Sequence, residues 1–175
     1  PDRYREAFGA NRIDTSLIVA VRGITMKDGD QIANSRDALS QVFEYVTEEN
    51  GFYKDGSFVQ HENIAYNGSY GIVLIEGLVD ILELLADSSW DVTDEKVENV
   101  YDWIYDGFEP FMYKGSLMGM TRGRAISRSF LQDHQAGHTV INTVIRMAQF
   151  VPEPHAENFK RMAKYWIEQD TELDY

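Results

Sequence analysis

Cysteine is missing from all 175 residues. Its absence excludes a disulfide framework and a thiolate nucleophile, and leaves the redox compartment open. No apolar run approaches the ~20 residues that a membrane-crossing helix needs, so no membrane partner is expected. No opening segment joins a basic stretch to an apolar one in the manner of a secretion signal. Positive charge is scarce: 16 Lys and Arg face 29 Asp and Glu, a formal net charge of -13. That balance repels the phosphate backbone and excludes nucleic acid as an expected partner.

What is present is enough apolar material, 43% of the residues, for the core of one domain. The spacing of apolar residues predicts helices over 14–26 and 36–47, the second through Leu39, Val42, Phe43 and Val46. From Gly71 to Ala86 the run is apolar on almost every side, as in an inner helix packed on two faces. Thr93 is placed to cap the next helix. Its stripe runs through Val97, Val100, Tyr101, Ile104, Tyr105 and Phe108, Asp94 and Glu95 suit its positive N-terminal end, and Pro110 closes it. Further helices are expected over 134–150 and 155–169, split by Pro152 and Pro154. No strand alternation competes with these patterns. The fold class expected is all-α, with long loops at 48–70 and 111–133. Loops of that length in a compact domain are functional or disordered, and the aromatic content of these argues for function.

The first long loop ends in DGSFVQHENIAYNGSYG, where Tyr70 stands nine positions after His61. An imidazole is a proton acceptor near neutral pH and a phenol a proton donor, so one loop holds both halves of an acid/base reaction. Residues 114–128 hold Lys114, Arg122, Arg124 and Arg128 without one Asp or Glu, a positive island in an acidic chain and the place where an anion would bind. Asn11, in GANR, adds an amide donor. Taken singly, each has a plain structural alternative: a turn residue for Asn11, a loop histidine bound to backbone, a tyrosine opening the inner helix, arginines paired with surplus carboxylates.

Five ordered motifs bind these residues together: GANRID at 9–14, DGSFVQH at 55–61, NIAYNGSYG at 63–71, SSWDVTD at 88–94 and RGRAISR at 122–128. In this order the sequence resembles polysaccharide lyase family 8, which includes hyaluronate, chondroitin AC and xanthan lyases. The spacings of 50 residues from Asn11 to His61, 9 to Tyr70, and then 54 and 58 to Arg124 and Arg128 are similar to those of the hyaluronate and chondroitin members.

The resemblance implies a fold and a reaction. The fold is an incomplete (α/α) toroid of helical hairpins, of which residues 1–175 would be a fragment, continuous with further toroid helices and with β-sandwich domains. The reaction is β-elimination on a uronic-acid-containing acidic polysaccharide. It implies Asn11, His61, Tyr70 and Arg124 as catalytic residues, with Arg128, Arg122 and Asn67 binding substrate. Asn11 would hydrogen-bond the carboxylate as it becomes enolate-like, a kind of contact worth about 3–4 kcal/mol. His61 serves as base or as carboxylate holder; Tyr70 serves as acid, alone or in both roles with Arg124 stabilising its phenolate. Phe130 stands where xanthan lyases carry a tyrosine, which leans toward hyaluronan over xanthan, with chondroitin the other alternative. The resemblance further implies no cofactor and secretion from the cell. Tyr66 and Trp90 are weaker candidates for the cleft.

Other classes fit less well. A glycoside hydrolase needs two carboxylates across the scissile bond, and the marked loops offer only Glu62 beside His61. HQAGH places His134 and His138 four apart, but Gln135 stands where the zinc-protease motif needs Glu, and no third ligand follows from the sequence, so a helical surface pair is expected. Asp28 and Asp30 lack the further positions of a calcium loop. The rival to a lyase is a non-catalytic helical carbohydrate-binding fragment, in which the side chains are present but the cleft is not assembled.

Overall fold

The computed structural model describes residues 9–130 and 132–172. Helices dominate: α1 is Gly9–Met26, α2 Gly29–Asp37, α3 Ile72–Leu85, α4 Glu98–Asp102, α5 Asp133–Met147 and α6 His155–Gln169. The inner helix is α3, with Leu74, Ile75, Leu78, Val79 and Ile81 almost wholly covered. It packs between α1 on one side and α5 on the other, and α6 lies against α5. Gly77 lets α1 come close, since a Cβ there would stand 2.5 Å from the Ile13 side chain. Across the other flank, Arg146 of α5 reaches Asp80 at 2.7 Å and Glu83 at 2.5 Å on α3. These pairs are partly exposed and add little to stability.

Three expectations are corrected. The helix predicted over 36–47 ends at Asp37; Leu39 and Phe43 are buried, but in turns, because Val46 donates its N–H to Phe52 and draws the chain toward a small sheet. Asp28 opens α2 instead, accepting from the Gln31 backbone N–H and side chain, so this acidic residue caps a helix. Asp94, and not Thr93, caps the turn at Glu95–Val97, and the single helix predicted beyond it is divided into α4 and a π-helical segment, Trp103–Phe108.

The long loops contain short strands. β1 (Gly51–Phe52), β2 (Phe58–Gln60) and β3 (Ile64–Ala65) form an antiparallel sheet in that order, with Phe52 opposite Phe58 and Gln60 opposite Ile64. β4 (Met112–Tyr113) pairs with β5 (Ser116–Leu117). At two or three residues each, these strands are too short for an alternating pattern to appear in sequence.

Candidate active site

His61 sits at the tip of the β2–β3 connection, exposed, with φ 55°, followed by Glu62 at φ 73°. Two successive left-handed residues make the tight reversal, and Asn50 holds it by accepting from the Glu62 N–H at 3.0 Å. Five residues on, the chain enters a π-turn at Asn67–Gly71 that runs directly into α3. Tyr70 lies on that turn, half-buried against the core. Wide turns of this kind recur at functional sites because they re-aim a side chain at the end of a rigid helix.

The π-turn is anchored by Asn67. Its Nδ2 donates to the carbonyls of Gly56 and Gly107, each at 2.9 Å, and its Oδ1 accepts from Phe58 N–H at 2.9 Å. With 1% exposure, Asn67, expected from the motifs to bind substrate, commits its side-chain amide to the framework. Arg122 is likewise buried, at 3%, and donates to Gln132 Oε1 and to the Phe130 carbonyl, both at 3.3 Å. It holds the segment that carries the other arginines, and it also lines the cavity beside Tyr70.

Three rings then meet. His61 lies edge-on to Tyr70 at 5.2 Å between centroids and to Tyr66 at 5.7 Å, and Tyr66 lies edge-on to Tyr70 at 5.1 Å. Tyr66 is fully buried and forms the floor under the other two. Arg124 arrives from the 3-10 segment Gly123–Ser127, donating from Nη2 to the Tyr70 hydroxyl at 3.3 Å, while its backbone N–H reaches the Tyr66 hydroxyl at 3.4 Å. The approach depends on Gly123, whose φ is +52° and whose position would put a Cβ 2.4 Å from the Tyr66 ring. A cation, a phenol and an imidazole thus share one exposed surface. The guanidinium donates to the Tyr70 oxygen, and the imidazole stands edge-on to the same ring.

Arg128 is exposed, its guanidinium 5.7 Å from the Phe130 ring centre, and its carbonyl accepts from the Gln132 side chain. Arg128, Arg122, Ser69, Glu76 and Phe130 line a cavity of about 110 Å³ beside Tyr70. Burial raises the Glu76 carboxyl above its ordinary range, and Asp80 adds to the effect. Asn11 is exposed in the first turn of α1, and Gly9 of that turn packs against the Gln60 side chain, one residue before His61. Trp90 packs on Gly29 at the start of α2, away from the three rings. Sequence reasoning undervalued Tyr66 and passed over Gln132; the first was marked only by its place in a motif, the second by nothing local. It also missed Asp170, whose Oδ2 lies 3.3 Å from His134 Nδ1 and 3.2 Å from His138 Nε2.

Residues 1–165 match the sequence profile described as Polysaccharide lyase family 8, N terminal alpha-helical domain. The chain belongs to polysaccharide lyase family 8. It is 46% identical over 165 residues to a xanthan lyase of Bacillus sp. (strain GL1), covering 93% of this chain and 18% of that protein. It is 41% identical over 175 residues to a hyaluronate lyase of Thermasporomyces composti, covering 100% and 22%. The structure of Streptomyces coelicolor A3 chondroitin AC lyase in complex with chondroitin sulphate superposes with a TM-score of 0.93 at 38% identity, covering 99% of this chain and 25% of that one. The chain therefore spans about a fifth of the length of the curated family 8 relatives it matches. Its fold is that of the family's α/α toroid, as expected from the motifs.

Proposed function

We propose that the family 8 protein containing this chain is a lyase that cleaves a uronic-acid-containing acidic polysaccharide by β-elimination, leaving a 4,5-unsaturated uronate. The observation that carries this reading is the Tyr70 hydroxyl, accepting from Arg124 with the His61 ring edge-on beside it. A base removes the C5 proton, the bond from C4 to the bridging oxygen breaks, and an acid protonates the departing oxygen. Tyr70 is the acid. Either His61 takes the C5 proton and Tyr70 gives its own to the leaving oxygen, or Tyr70, as a phenolate facing Arg124, takes the C5 proton and passes it to that oxygen while His61 holds the carboxylate. Charge building on the carboxylate needs a donor, the role that suits the exposed amide of Asn11. Arg128, exposed beside Phe130, orients the neighbouring sugar. As an enzyme acting on an extracellular polymer, the protein is secreted.

Hyaluronan is the first polymer of choice, on the motif spacing and on the missing hydroxyl at Phe130. Xanthan is the second, favoured by the 46% identity to a named xanthan lyase. The test is ultraviolet absorbance of hyaluronan, chondroitin sulfate and xanthan digests with the wild type and Tyr70→Phe, since elimination creates a conjugated double bond and hydrolysis does not. A Tyr70-dependent rise on one polymer establishes the reaction and its substrate. No rise on any polymer, from folded protein, returns the chain to the non-catalytic carbohydrate-binding reading.

A further inference from the structure

The β-elimination chemistry makes no use of a second cluster, formed by two imidazoles and a carboxylate at one end of the α5–α6 pair. His134 and His138 stand one turn apart on α5, and Asp170 follows the last residue of α6. One ligand atom from each lies within 4.8 Å of the other two. The Asp170 side chain is fully covered, while His134 and His138 are 23% and 28% exposed, so solvent reaches the cluster through the imidazoles with the carboxylate beneath them.

Distances and donor types point the same way. Zinc with ligands at ~2.0–2.1 Å in a tetrahedron puts neighbouring ligand atoms ~3.3–3.4 Å apart, by the geometry of the solid. Two of the three edges here already measure 3.3 Å and 3.2 Å. The third joins imidazoles at i and i+4 on one helix face, the spacing by which a helix offers two nitrogens to one ion. The carboxylate is oriented from behind: Asp170 Oδ1 accepts from the Glu172 backbone N–H at 2.9 Å, which turns Oδ2 toward the imidazoles. A mixed set of two nitrogens and one oxygen suits zinc and its neighbours in the first transition row and not calcium or magnesium, which favour all-oxygen cages.

We propose that His134, His138 and Asp170 form a three-ligand site for a divalent transition cation of the zinc class, with its fourth position taken by water. The ion joins the end of α6 to the first two turns of α5. Those turns begin at Gln132, which contacts the Arg128 carbonyl and the Arg122 guanidinium, so the ion steadies the frame of the arginine segment without touching the reacting sugar. This inference is independent of the proposed reaction.

Zinc sulfate titrated into chelator-treated protein, followed by calorimetry and by imidazole nitrogen NMR, tests it. The chain has four histidines, so the spectrum separates the alternatives. The expected result is one zinc per chain, with the signals of His134 and His138 moving and those of His61 and His155 still. Asp170→Asn and His138→Gln should each weaken binding by more than the ~10–100-fold that loss of an outer hydrogen-bond partner costs. Should either variant misfold by circular dichroism, the wild-type NMR decides alone. Zinc that shifts only His61 or His155, binding that is equal in wild type and folded Asp170→Asn, or no binding at all would overturn the site and leave a hydrogen-bonded trio.

Discussion

The α5–α6 pair and the loop from Gly51 to Gly71 both satisfy their backbone polar groups, but by opposite means. In α5 and α6 regular helical bonds do it, and one apolar stripe on α6, through Ala156, Phe159, Met162, Ala163 and Trp166, meets the core. In the loop, two- and three-residue strand pairings do part of it, and single side chains complete it: Asn67 ties Gly56, Phe58 and Gly107, and Asn50 ties the reversal at His61. The helical pair spreads its architecture over many equivalent backbone bonds. The loop concentrates its architecture in a few polar side chains, and it carries the groups that suit proton transfer. Stability and chemistry are therefore separable in this molecule, except where one residue serves both.

That contrast can be broken, most forcefully at Tyr70. Tyr70→Phe is expected to lower kcat by ~10²–10⁴-fold, the span of a lost general acid or base, with the unfolding midpoint unchanged. A comparable loss of stability would show that the hydroxyl belongs to the core. Leu78→Ala, at a fully covered position on α3, is expected to do the reverse. It should cost ~2–5 kcal/mol in denaturant unfolding, while kcat of the folded fraction persists. Asn67→Ala tests the overlap. It strands buried backbone partners, at ~1–3 kcal/mol, and loosens the turn under Tyr70, so both unfolding and kcat should fall. Glu76→Gln gives the smallest effect, and its sign depends on pH. Burial raises the folded carboxyl above its unfolded value, so its ionisation opposes folding once pH rises through the folded value. The variant should melt higher than wild type at pH 7, with the gain gone below about pH 4, where even an unfolded glutamate is protonated.

The helical region was legible in sequence and the loop only in part. The expected helices at 14–26, 71–86 and 155–169 correspond to α1, α3 and α6, with α1 beginning five residues earlier and the other ends within one residue, because core-facing helices repeat their apolar positions. The stretch at 36–47 has the same repeat, yet beyond Asp37 it folds as turns in which Leu39 and Phe43 are still buried in the core, so their spacing records burial and not helicity. The candidate side chains stood out by motif and spacing, and the structure brings His61, Tyr70 and Arg124 together. Which polar residues face inward was not readable. Asn67 and Arg122 have the same types as the exposed candidates, and only tertiary placement buries them. Asp170 is separated from His138 by 32 residues, a contact no local pattern encodes.

The three bonds of Asn67 join the Tyr70 turn to two distant stretches of backbone, at Gly56 and at Gly107. A side chain so placed removes the early, local melting that loop-borne active sites commonly undergo. On heating, inactivation and global unfolding should therefore follow one curve, and a gap between them should open in Asn67→Ala.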